Sequence, residues 1–178
     1  MKQKIIQTAL KICEKDGYES FSMRKLATKL NLDPMAIYHY FENKEALTKA
    51  MVEQIFNRLQ KQILTKNKNP RLTIKRILVD YWCLFLDYPG MSLYLIKNSY
   101  EEFPSVVSFN KILQDLFNIL YPGINSEKIL HIVIDFIHGN ALAFSMIPKD
   151  RSRALKPLPN QKEFESSLLY LLDQFLPF

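Results

Sequence analysis

Glycine is scarce in this chain. The 178 residues include four, Gly17, Gly90, Gly123 and Gly139, each isolated from the others. No glycine-rich loop that cradles a nucleotide phosphate can be built from them. Cysteine is scarcer still, with only Cys13 and Cys83. That excludes a disulfide framework and suits a reducing compartment. Both are expected as buried, reduced core residues; a redox-sensing pair is the alternative. Valine and threonine number five each, so the residues that favour strands are thin on the ground. Long apolar runs are missing too. The most apolar segment, 132–147, is interrupted by Asp135, His138 and Asn140 and is too short to span a bilayer. The N-terminal stretch is broken by Gln7 and Lys11 and is not expected to act as a signal peptide. No nucleophile–base pair and no cluster of metal ligands stands out. The expectation is a cytoplasmic protein, all-α, with no membrane segment, no cofactor, no bound metal and no enzymatic activity.

What is present is a hydrophobic content of 48% and an uneven charge. The first 68 residues hold 13 Lys/Arg against 7 Asp/Glu; residues 69–178 hold 11 of each. The whole net charge of +6 therefore lies in the first third of the chain. Such a concentration of positive charge suits a polyanionic partner.

That basic third contains the most ordered local pattern, residues 22–44. Ser22 is a suitable N-cap, and Met23, Leu26, Ala27 and Leu30 follow at i, i+3, i+4 and i+7. Asn31 tolerates the left-handed conformation that ends a helix. Asp33 can cap a second helix with Pro34 at its first position, where no N–H is needed. Within that helix Ile37 and Phe41 are four apart and can face inward. Met35, Ala36, Tyr38, His39 and Tyr40 are left facing outward, where a merely solvated helix would show Glu, Lys and Gln. Those side chains suit base edges and phosphate oxygens, and Arg24, Lys25, Lys29 and Lys44 flank them. Two short helices around a tight turn, the second chemically rich and exposed, form the helix-turn-helix pattern.

Residues 5–47 resemble the DNA-binding domain of the tetracycline-repressor (TetR) family of bacterial transcriptional regulators. The resemblance rests on Ile6, Ala9, Gly17, Phe21, the run Ser22-x-Arg24-Lys25-Leu26-Ala27, Leu30, Leu32, and Tyr38-x-Tyr40-Phe41-x-x-Lys44-Glu45-x-Leu47. Asn31 departs from the glycine common there, a mild change because both suit a left-handed cap. The resemblance implies that Ser22, Arg24, Tyr38, His39, Tyr40 and Lys44 grip the phosphate backbone of double-stranded DNA. Pro34, Met35 and Ala36, at the leading end of the reader, would touch base edges, with thymine methyls favoured over guanine. Tyr38 has a structural alternative, packing on the helix before it. The family layout also implies a homodimer, a near-palindromic operator, and a repressor released by a small-molecule effector. An effector-independent DNA-binding or architectural protein is the alternative.

The rest of the chain reads as further helices, about nine in all. A helix over 2–16 ends at Gly17; the pair 22–30 and 34–41 follows. Asn43 caps a long helix from 44 to about 66, broken by the polar stretch 66–70. Helices are expected over 72–88, 91–98, 105–120, 126–147 and 161–176, with the Pro-rich, basic 148–160 as a loop. The division expected is 1–46 for DNA binding and 47–178 for a helical regulatory domain that binds effector and dimerises. The 126–147 helix shows two apolar faces, and Phe164, Leu168, Leu171, Leu172 and Phe175 stripe the last one. Both are expected to join a four-helix interface with a second copy.

Aromatic residues crowd the regulatory part. Most must be core, but Tyr81, Trp82, Phe85, Tyr88, Phe103, Phe117 and Phe136, with His138, are expected to line a pocket for a small apolar or aromatic effector. His131, Asp135 and His138 share one helical stripe at i, i+4 and i+7. That spacing suits a metal, but no fourth ligand is evident; polar surface or a hydrogen bond to a ligand are the other readings. Switching is expected through the long helix that runs from Lys44 into the regulatory part.

Overall fold

The computed structural model describes residues 1–63, 69–88, 90–145 and 161–175, and every regular element among them is helical. In order these are α1 (Lys2–Asp16), a 3-10 turn (Tyr18–Ser20), α2 (Met23–Leu30), α3 (Pro34–Tyr38), α4 (Lys44–Ile63), α5 (Pro70–Asp87) and α6 (Met91–Lys97). A second 3-10 turn (Tyr100–Glu102), α7 (Pro104–Leu120), α8 (Ser126–Ser145) and α9 (Gln161–Asp173) complete them. The expected end of the fourth helix at about 66, the polar break at 66–68 and the loop at 148–160 fall outside the described residues.

The start signals work as local chemistry requires. The Ser22 hydroxyl accepts the Lys25 N–H at 3.2 Å, the Asp33 carboxylate accepts that of Met35 at 2.8 Å, and the Asn43 side chain accepts that of Ala46 at 2.8 Å. Each satisfies one of the N–H groups a helix leaves unbonded at its start. Asn31 adopts the left-handed conformation at φ 55°, and its N–H closes back onto α2. α3 is shorter than its expected span of 34–41. The Tyr40 and Phe41 N–H groups both close onto the Ile37 carbonyl, at 2.9 and 3.0 Å, so the last turn tightens and regular helix stops at Tyr38.

Ile5, Ala9, Cys13, Leu26, Ile37, Phe41 and Leu47 are buried together as the core of the N-terminal helices. Farther along α4, Phe56 meets Tyr81 and Phe109 edge-on, at 5.8 and 5.5 Å between ring centroids. One helix of 20 residues, about 30 Å long, thus contributes to both regions. The second tie is the start of α6. Gly90 has φ +87°, and a Cβ there would lie 3.3 Å from the Tyr18 Cβ, so a side chain would strain the backbone and push Tyr18 aside. The Tyr18 ring then lies 5.2 Å from that of Tyr94, and its hydroxyl is 3.2 Å from the Thr48 hydroxyl on α4.

Beyond α4, α5 is central. It buries Ile74, Ile77, Leu78, Tyr81, Trp82 and Phe85 among α4, α7, α8 and α9. The Trp82 indole stacks on Phe164 at 4.3 Å and donates to the Asn140 side chain at 2.7 Å, which satisfies its one polar group. On α8, Ile129, Leu130, Val133, Ile137 and Ala141 are buried, whereas Ile132 is 38% exposed and Phe136 half-buried. On α9, Leu168 is fully buried and Tyr170 is 72% exposed. Cys13 is buried; Cys83, expected buried, is half-exposed, and both are free thiols.

Candidate nucleic-acid interface and ligand cavity

The exposed face of α3 is set by two anchors. Ile37 and Phe41 point into the core, and the residues between and before them have no choice but to face out. Met35 is 72% exposed, Tyr38 43% and Tyr40 40%. His39 is exposed and lies edge-on to Tyr40 at 5.3 Å. Pro34 and Ala36 are half-buried at the leading end. Ser22 and Arg24 are exposed on α2, as is Lys25, which pairs with Asp16 at 2.8 Å. Tyr38, 43% exposed, presents part of its ring to solvent. All nine residues expected at this surface therefore lie along α2, α3 and the start of α4.

Lys44 is half-buried, and its ammonium lies 4.6 Å from the Tyr18 ring centroid and 5.4 Å from that of Phe21. A cation over ring faces is steered by the quadrupoles while its hydrogens remain free for an anion. Tyr18 escaped the sequence reading. No periodicity marks it, and its role rests on Lys44, Thr48 and Tyr94, all distant in the chain.

A cavity of about 630 Å³ opens between α5, α6, α7 and α8. Its buried side carries Tyr81, Leu95, Val106 and Leu130; Ile134 and His138 are half-buried beside them. Ile96, Tyr100 and Val107 line it and are exposed. Lys111, Glu127, His131 and Asp135 are also exposed in its lining. Asn98, Asn110 and Gln114 supply half-buried neutral amides. The Tyr81 hydroxyl and His138 Nε2 are 2.7 Å apart. The His138 ring also meets Phe85 edge-on at 4.9 Å. Burial lowers the His138 pKa to about 4 against a weaker opposing pull from Asp135, so the ring is neutral at pH 7. Burial likewise pushes the Tyr81 phenol well above its ordinary range, so it keeps its proton.

Of the eight residues expected around a ligand, the cavity gathers Tyr81 and His138. Trp82, Phe85, Phe103 and Phe117 are wholly buried and fill the core instead. Phe136 stacks on Phe164 at 5.8 Å. Tyr88 faces a separate cleft of about 340 Å³ between α1, α4 and α5. The largest rings went to the core because they bury the most apolar area there. The stripe on α8 divides: His138 turns in, while His131 and Asp135 stay exposed. Among the described residues no group of three or more His, Cys, Asp or Glu side chains is placed to hold a metal ion. No helix among them is long and apolar enough to cross a membrane.

Residues 5–51 match the family model described as bacterial regulatory proteins, tetR family. The chain is 36% identical over 82 residues to the HTH-type transcriptional regulator YuxN of Bacillus subtilis (strain 168), a match covering 43% of this chain and 28% of YuxN. The chain thus spans under a third of that relative's length. Whole-chain likeness comes from solved structures. The transcriptional regulator FadR from Bacillus subtilis, in complex with stearoyl-CoA, superposes with a TM-score of 0.72 at 15% identity, over 99% of this chain and 100% of that one. BioQ with its double-stranded DNA operator gives 0.69 at 18% identity, over 98% and 97%. These two carry the fold of the helices beyond residue 51, which the family match does not reach. The family match covers the segment that holds α3, and the fold shared with the solved structures continues to the last helix.

Proposed function

We propose that this protein is a DNA-binding transcriptional regulator, a homodimeric repressor released from a near-palindromic operator by a small-molecule effector. The observation that carries the reading is the exposed face of α3. Met35, Tyr38 and Tyr40 are held in water by a helix whose other side is fully anchored, and the surrounding third of the chain holds all the excess positive charge. Ser22, Arg24, Tyr38, His39, Tyr40 and Lys44 would take phosphates; Pro34, Met35 and Ala36 would meet base edges. The structures of BioQ with its operator and FadR with stearoyl-CoA lend support to a DNA contact and a ligand in proteins of this fold.

Residues 1–46 would then bind DNA and 47–178 would regulate. Dimerisation through α8 and α9 is supported by Ile132 and Tyr170, apolar surface left uncovered in the single chain. The effector site is the cavity among α5 to α8. Its α6 wall begins at Gly90 against Tyr18, and α4 runs from the regulatory core to Lys44, so both routes lead to the reader. A small tilt at the far end of α4 would move the reader by several ångströms. Two readers must enter successive major grooves about 34–36 Å apart, so the shift would disrupt both contacts. Effector and operator must then weaken each other's binding by the same factor. The protein is read as a cytoplasmic binding protein and not an enzyme. The test is a nuclease footprint on the duplex upstream of its own gene. A protected near-palindrome is expected; purified protein that protects no segment at any concentration would overturn the reading.

A further inference from the structure

On the reading of the α5–α8 cavity as the effector site, we infer that the buried end of the effector is uncharged and bears a hydroxyl or carbonyl oxygen that hydrogen-bonds the Tyr81–His138 pair. Any charged group stays at the margin.

The argument begins with hydrogens. The pair holds two, one on the phenol and one on the neutral imidazole. Their mutual bond of 2.7 Å uses one. If Tyr81 donates to Nε2, then Nδ1–H is the spare donor and the phenol oxygen a spare acceptor. If Nε2–H donates, the phenol O–H is the spare donor and Nδ1 the spare acceptor. Either tautomer leaves one donor and one acceptor, and neither residue has a second polar partner among the described residues. The pair can therefore meet a carbonyl, which only accepts, or a hydroxyl, which does both. It adapts by moving its own protons.

The charge argument is separate. Tyr81, Leu95, Val106 and Leu130 make the buried side, where no formal charge lies. Lys111, Glu127 and Asp135, with His131, are all exposed in the lining. An ion pushed to the buried side would lose its water with no countercharge to replace it, and would neutralise instead. A bare hydrocarbon end fails in the opposite way, by stripping water from the spare donor and acceptor without returning a bond. The uncharged oxygenated end is the one that meets neither penalty. The half-buried amides of Asn110 and Gln114 extend the same neutral character toward the opening.

The test uses five probes on one ring system: 2-naphthol, 2-acetylnaphthalene, 2-methylnaphthalene, 2-naphthoate and 2-naphthylmethylammonium, titrated by calorimetry at pH 7.5 into the full-length protein. The naphthol and the ketone should bind about tenfold or more tightly than the other three, a tenfold step being the net effect of one buried hydrogen bond. Tyr81→Phe, which keeps the ring volume, and His138→Leu should each narrow that gap, and the two together, which remove both donor and acceptor, should close it as methylnaphthalene binds more tightly. A charged probe binding best, methylnaphthalene matching the naphthol, or a gap unchanged in both variants would overturn the inference. Operator affinity measured alongside separates it from the parent reading. The expected rank with unchanged operator binding supports the head-group assignment and contradicts release by effector. No binding by any probe contradicts both.

Discussion

The reader face and the cavity depart from ordinary burial in opposite directions. On α3 a thioether and two phenols stand in water with no apolar cover. In the cavity a phenol and an imidazole are taken out of water and given mainly each other. Soluble proteins mostly bury methionine and leave tyrosine and histidine intermediate. Both departures are held by rigid neighbours: Ile37 and Phe41 beneath the reader, and Phe85, Leu130 and α5 around the pair. Function concentrates where the local rule is broken and the surroundings compensate. The difference lies in what completes each region. The reader lacks a large polyanionic surface, which adds charge contacts from outside. The pair lacks one small hydrogen-bonding group, which must come inside.

The two regions should respond differently to substitution. The largest effect is expected beneath the reader. Ile37→Ala removes a fully buried side chain and should cost about 2–4 kcal/mol of stability, seen as a lower midpoint in urea. Met35→Ala, two residues away and 72% exposed, should change stability by no more than about 0.5 kcal/mol. Its effect should instead appear as altered preference at one or two base pairs of a randomised operator library. A large stability loss from Met35→Ala would break the contrast.

The cavity should show itself through acid. His138 has a folded pKa near 4 against an ordinary value of 6.5, so below pH 6.5 the unfolded chain binds the proton more readily. The stability this group contributes is full above about pH 6.5 and is lost as pH falls toward 4, by up to about 3 kcal/mol. Asp135 opposes part of it. His138→Gln should flatten the pH 4–6.5 segment of the stability profile, and an unchanged slope would mean the ring is solvated.

Assembly and anchoring come next. Ile132→Glu, on the exposed apolar surface of α8, should give monomers in sedimentation at micromolar concentration with the helical content unchanged. Leu168 and Ala141, which the helical stripes alone would nominate for that interface, are buried within the single chain, and a charge there would unfold it. The smallest effect is expected at Lys44. Lys44→Ala should weaken binding to all duplexes alike and lower the salt slope by about one per subunit.

How far each region was legible in the sequence follows from the range of the contacts that build it. Ser22, Asp33 with Pro34, and Asn43 act on groups within three residues of themselves, so caps, turn and reader face could be read directly. The overrun of α3 to 41 reflects its last turn, where tightening onto one carbonyl leaves no mark in residue type. The cavity is built from four helices, and its central pair joins residues 57 positions apart, which no window along the chain can see. Trp82, Phe85, Phe103 and Phe117 drew attention by ring size, the same property that sends them to the core. Asn98, Asn110 and Gln114, which no sequence pattern singles out, are lining. His138 stood on a visible stripe, but only packing shows that it alone of the three turns inward.

The most direct test is fluorescence anisotropy of a labelled upstream duplex titrated with protein from 50 to 300 mM salt. The account predicts tight binding at low salt and log affinity falling linearly with log salt, with a slope steep enough for several phosphate contacts per subunit. Binding to no duplex at any salt, or affinity independent of salt, would contradict it.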